Sequence, residues 1–182
     1  ISLGLVGSEM CIRDRGISRF CSATYAPAGT FIHNGVGYDG GLFLSGEETG
    51  DESRAFAFDE EGTGYQLPRM GMMSFENIIP SIKPGANTVA MANEDGAATD
   101  SQLYVYVGKK QSTGSAIDKA GLTNGDLHVM NIPTIKSDNL FRTTVGKNKK
   151  MPVEFVKVDW NTTSSAFAKE SREKGTTMAR VE

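Results

Sequence analysis

LFLSGEE, residues 42–48, decides the fold, because the chain repeats its plan as VAMANED, residues 89–95. Each copy is an apolar strand, a small residue, then two acids. Glu47 and Glu94 stand 47 positions apart, and a four-stranded propeller blade takes about 40–50 residues. The echo therefore predicts two neighbouring blades, each sending an acid pair off the end of an equivalent strand. Chance similarity of two strands is the other reading.

The surrounding sequence is all-β in character. GLFLSG (41–46), RAFAFD (54–59), NTVAMAN (87–93), QLYVYVG (102–108), DLHVMNI (126–132) and PVEFVKV (152–158) alternate or run apolar over strand lengths. Gly, Asn, Asp and Pro clusters separate them. DEEGTG (59–64) predicts a hairpin turn between RAFAFD and YQLPRM. One helix is predicted at TSSAFAKESREKG (163–175), with Ser/Thr caps at its start and Gly175 as its stop. STGSAIDKAGLTNG (112–125) reads as a polar loop with one helical turn.

Residues 1–15 are set apart. Back-translation of Leu5–Arg15 resembles a transposase-type sequencing adapter, so this segment is expected to be read-through. The apolar stretch Ile1–Val6 is too short for a signal peptide or a membrane span. Residues 16–182 are then a partial β-propeller domain of about two to three blades, open at both ends. The run KGTTMARVE at its end carries no turn signal.

Composition narrows the function classes. Lys plus Arg number 19 and Asp plus Glu 22, a net charge of -3, which argues against nucleic acid as the main partner. No apolar run reaches membrane length. Outside residues 1–15 the one cysteine is Cys21, so no internal disulfide forms there.

The acid pairs Glu47-Glu48 and Glu94-Asp95 are the main chemical feature. Four carboxylates converging on a propeller channel repel unless cations hold them, and hard oxygen donors suit Ca²⁺ or Mg²⁺. Solvated turn acids are the alternative. Glu76, in MSFENIIP, is an acid in an apolar setting, either partnered or exposed. Cys21 is a small buried apolar residue or, as a thiolate, a ligand for iron or zinc. His33 and His128 sit in no Cys/His signature, and VGYDGG and LSGEETG match neither a P-loop nor a dinucleotide fingerprint. Arg54 and Arg69 are surface residues or anion binders.

RFCSATYAPAGTF, LFLSGEETGDESRAFAF, YQLPRMGMMSFEN, VAMANEDG, QLYVYVGKK and TGSAIDKAGLTNGDL occur in that order. Together they resemble the bacterial PhoX-type alkaline phosphatase family, in its secreted, largely uncharacterised branch. The resemblance covers most of residues 17–182. It implies a β-propeller around an iron and calcium cluster that hydrolyses phosphate esters in the periplasm or outside the cell. By the same resemblance Cys21 is the iron-binding cysteine, and Glu47, Glu48, Glu76, Glu94 and Asp95 are metal ligands. Glu47, Glu48 and Glu94 are the catalytic group, and Glu182 opens a further acidic motif. Two departures stand out: IHNGVGYDGG intervenes before the first acid pair, and Phe75-Glu76 replaces the family's His-Glu. The rival expectation is a non-catalytic, calcium-stabilised propeller that binds a ligand or partner.

Overall fold

The structure is a computed structural model and describes residues 16–96, 100–146 and 148–178. The adapter-like segment and Glu182 lie outside the described residues.

Eleven strands form three open antiparallel sheets among the described residues, so the all-β expectation holds; these sheets close no barrel or propeller ring. Sheet one is ordered β1 (Phe20–Ala26), β4 (Leu42–Glu47), β5 (Ala55–Asp59), β6 (Gly64–Gln66). Sheet two is a five-stranded meander of β7 (Phe75–Pro80), β8 (Asn87–Glu94), β9 (Leu103–Lys109), β10 (Asp126–Asn131) and β11 (Glu154–Val158). The small third sheet pairs β2 (Phe31–His33) with β3 (Val36–Tyr38) and is inserted between the first two strands of sheet one.

Each strand expected from the sequence falls on a strand, and the turn at 59–64 joins β5 to β6. The insertion IHNGVGYDGG is the β2–β3 hairpin. Asn34 and Gly35 form its two-residue turn at φ 50 and 77, the left-handed geometry that Asn-Gly supplies at low cost. The polar loop holds one helical turn, α1 (Ala116–Lys119), started by a Ser115–Asp118 capping box. A second short turn, α2 (Asp138–Leu140), leads into a wider helical turn at 141–145. The main helix α3 (Ser164–Lys174) has the caps its sequence announces: Thr163 accepts the Ala166 N–H, and Gly175 ends it. None of the described helices is long and apolar enough to cross a membrane.

One core lies between the two large sheets. β7 packs across β1 and β4. Alternation turns Ala90 and Ala92 of β8 and Tyr104 and Tyr106 of β9 inward, into one core cluster with Leu42, Leu44 and Ala57 of sheet one. Small side chains let the layers approach. At Gly46 an added Cβ would stand 2.3 Å from the Cβ of Phe75. Helix α3 closes one end by stacking Phe167 on Tyr104, centroids 5.6 Å apart.

Gly46→Ala is expected to push the sheets apart and cost about 1–3 kcal/mol of stability, read as a lower urea midpoint. Gly85→Ala, where an added Cβ meets nothing within 4 Å, is the control and should shift it by under about 0.5 kcal/mol.

Candidate metal centre

The two echoed acids end equivalent strands and do equivalent work. In sheet one the Glu47 N–H donates to the Arg54 carbonyl, and Glu47 Oε2 accepts the Arg54 N–H at 3.0 Å. In sheet two the Glu94 N–H donates to the Gln102 carbonyl, and Glu94 Oε2 accepts the Gln102 N–H at 3.0 Å. Each glutamate thus clasps the turn that leads out of its own strand.

The neighbours repeat as well. The Glu48 N–H donates to Arg19 O, and the Asp95 N–H donates to Ser74 O. Phe20 pairs with Glu47 and Phe75 with Glu94, and just after each phenylalanine the first strand carries one extra residue. Such a bulge re-aims the side chains beside it. Cys21 follows Phe20, and Glu76 follows Phe75.

This geometry brings Cys21, Glu48 and Glu76 together. One donor atom of each lies within 4.8 Å of the others, and this is the one such group of three or more among the described residues. Cys21 Sγ donates to Glu76 Oε2 at 3.6 Å, and Ser22 Oγ donates to Glu76 Oε1 at 2.9 Å. Arg19 pairs with Glu48 at 2.9 Å while its Nη2 also donates to the Glu48 carbonyl. Loss of solvation raises the Cys21 thiol above its ordinary range; hydrogen bonds from Ser22 oppose this, and the charges of Glu76 and Glu48 add to it.

The donor set fits a transition ion. A thiolate with two carboxylates suits iron or zinc, whereas calcium takes oxygen donors and gains nothing from sulfur. For calcium the described residues gather no second set.

Glu47 and Glu94 stand elsewhere in the chemistry. Glu47 is fully buried and ion-paired with buried Arg54 at 2.7 Å, while Ser18 N–H donates to Oε1 at the same distance. Burial pushes its carboxyl up, but the Arg54 hydrogen bonds and the Ser18 N–H overcome that and hold it below the usual range. Glu94 is also buried, and there burial wins: its carboxyl is pushed up to about 7, against the pull of Arg172 and the Gln102 N–H. Asp95 is half-buried beside Glu94, outside the three-residue group.

Of the two arginines, Arg54 departs from the surface role expected of it. Arg54 is a buried partner of Glu47, and Arg69 lies 4.6 Å from the Trp160 ring centroid with Nη1 donating to Gly125 O. Arg19 and Ser22 were missed. Their one signal was lying within two residues of Cys21. His33 and His128 lie in different sheets, and neither joins Cys21.

No family model, no curated protein and no solved structure matches this chain.

The two clasps titrate in opposite directions. With its pKa lowered, Glu47 contributes stability at neutral pH that is lost as pH falls through the acid range. With its pKa raised from 4.5 to about 7, Glu94 costs stability as pH rises across that window, by about 3 kcal/mol once ionised. Glu94→Gln is therefore expected to abolish the decline between pH 5 and 7 in the metal-free protein. Glu47→Ala, which strands the Arg54 charge, should cost about 3–5 kcal/mol at pH 7. Urea titrations across pH check both.

Proposed function

We propose that the chain belongs to a metal-dependent phosphoric ester hydrolase of the kind its motifs resemble. In this reading Cys21, Glu48 and Glu76 hold a transition ion such as iron. The two large sheets are neighbouring propeller blades, and the clasp glutamates Glu47 and Glu94 hold the blade ends in shape. The observation that carries the reading is the meeting of a thiol and two carboxylates from two sheets at one point. The periplasmic or extracellular location comes with the resemblance alone.

Bound there, the ion supplies a Lewis acid that polarises a phosphoryl oxygen and offsets charge in the transition state. The chain's own groups prepare for it. Ser22 fixes one oxygen of Glu76, which leaves the other aimed at Cys21. Arg19 holds Glu48 by both its backbone and its carboxylate. Its side chain is 69% exposed, so it is also the cation placed to meet an anionic ester. Ion binding displaces the Cys21 proton, so affinity rises with pH.

Cobalt(II) titration of the chain in a Cys11→Ser background tests the site. A thiolate-to-cobalt absorption band is expected, absent in Cys21→Ser. Ser22→Ala, which frees Glu76, should weaken affinity by about 10–100-fold. A cobalt spectrum unchanged by Cys21→Ser would defeat the ion site. Failure of the iron-loaded protein to hydrolyse p-nitrophenyl phosphate at alkaline pH, with the cobalt band intact, would defeat the hydrolase reading alone.

A further inference from the structure

Asn131 of β10 and Glu154 of β11 are a register pair, so a hairpin turn of about 2–5 residues suffices to join these strands. Residues 132–153 intervene instead. Connections beyond about 12–15 residues are uncommon in compact domains and are functional segments or linkers. This one is no loose linker. The Asp138 N–H donates to Thr177 O at 2.9 Å and the Thr177 N–H to Lys136 O at 3.0 Å, which ties its first part to the segment after α3. Gly146 and Asn148, at φ 86 and 61, take the left-handed backbone where the chain turns back towards β11.

Charge sets the excursion apart from the rest of the chain. Residues 136–153 hold five lysines and arginines against one acid, a net +4 in a chain whose net charge is -3, so the other residues together carry -7. Arg142 is offset by Asp138, which it meets at 2.7 Å. Lys136 donates to Asn131 Oδ1 at 3.1 Å, a neutral partner. Lys149 and Lys150 are exposed. Apolar side chains stand among these cations. Leu140 and Val153 are each 46% exposed, Phe141, Val145 and Met151 are half-buried, and none of the five joins the core cluster.

The mixture selects the partner. A nucleic acid would use the basic groups but has little use for aliphatic side chains, and the acidic remainder of the chain repels a long polyanion. An anionic lipid surface uses both: apolar groups enter the boundary between headgroups and acyl chains, and lysines are drawn to the headgroup charge. We propose that the β10–β11 excursion is a peripheral contact for an anionic membrane, with Leu140, Phe141 and Val153 entering the headgroup boundary and Lys136, Lys149 and Lys150 lying on the lipid phosphates. The contact spans nothing. It is independent of the ion site and of the hydrolase reading.

Co-sedimentation of the full chain with vesicles tests the proposal, with chelator present so that no ion bridges protein to lipid. Wild type is expected to bind mixed phosphatidylglycerol–phosphatidylcholine vesicles, to release them as salt rises, and to ignore phosphatidylcholine alone. Lys149→Gln with Lys150→Gln should weaken binding by about 25-fold, at about fivefold for each cation near the surface. Leu140→Ser with Val153→Ser should weaken it by about tenfold. Lys83→Gln with Lys109→Gln removes the same charge from exposed positions at the opposite end of sheet two and should change binding by less than about twofold. Circular dichroism confirms that each variant is folded, and Lys149→Glu and Leu140→Asp provide a second pair. No binding, equal binding to neutral vesicles, indifference to the charge pair or to the apolar pair, or an equal loss in the Lys83 and Lys109 control would each overturn the proposal. Binding to duplex DNA as tight as to the anionic vesicles at the same salt would also overturn it, because it would make the excursion a polyanion contact.

Discussion

The constraint on which the rest depends is the buried carboxylate that ends the second strand of each large sheet. A carboxylate out of water must be neutral or fully satisfied. Glu47 takes the second course, with Arg54 and two backbone N–H groups around it. Glu94 leans to the first, since burial holds much of its population protonated near neutral pH. Either way the carboxyl ties the end of one strand to the start of the next. The residue after it, Glu48 or Asp95, is held by a backbone hydrogen bond across to the first strand's lead-in, and the bulge opposite carries Cys21 or Glu76.

Two sheets built this way bring their rims together only if they approach closely. Gly46 and the inward alanines permit it, and Phe75 seats itself where a side chain on Gly46 would stand. The same phenylalanine opens the bulge that aims Glu76. Packing and site geometry therefore share a residue. Glu48 and Glu76 repel each other in the absence of a cation, and Arg19 and Ser22 offset part of that cost with charge and hydrogen bonding. The chemistry at the rim sits on the fold; it does not hold the fold up.

Much of this was legible in the sequence, for physical reasons. Strands such as VAMAN and LYVYV announce themselves by alternation or by continuous burial, and α3 by its caps. β7 escaped notice because Glu76 and Asn77 interrupt its apolar run at the bulge. β1 alternates with mostly small side chains, which leaves little hydrophobic signal. The hairpin at Asn34-Gly35 was fully signalled by that dipeptide, and was passed over as an insertion. At the site, the acid pairs were found as pairs, yet adjacent residues on a strand end point different ways. Glu47 is buried against Arg54 and Glu48 goes to the rim, and no spacing rule separates those roles. The Arg54 partnership depends on a turn closing, which pattern reading does not see.

The central claim is that one ion site is assembled across two sheets from Cys21, Glu48 and Glu76. X-ray absorption fine structure at the zinc edge of the zinc-loaded chain, in a Cys11→Ser background, tests it most directly. The account expects one sulfur shell at about 2.3 Å beside oxygen at about 2.0–2.2 Å, with the sulfur shell lost in Cys21→Ser and an oxygen lost in Glu76→Ala. An all-oxygen shell around tightly bound zinc, indifferent to both substitutions, would contradict it.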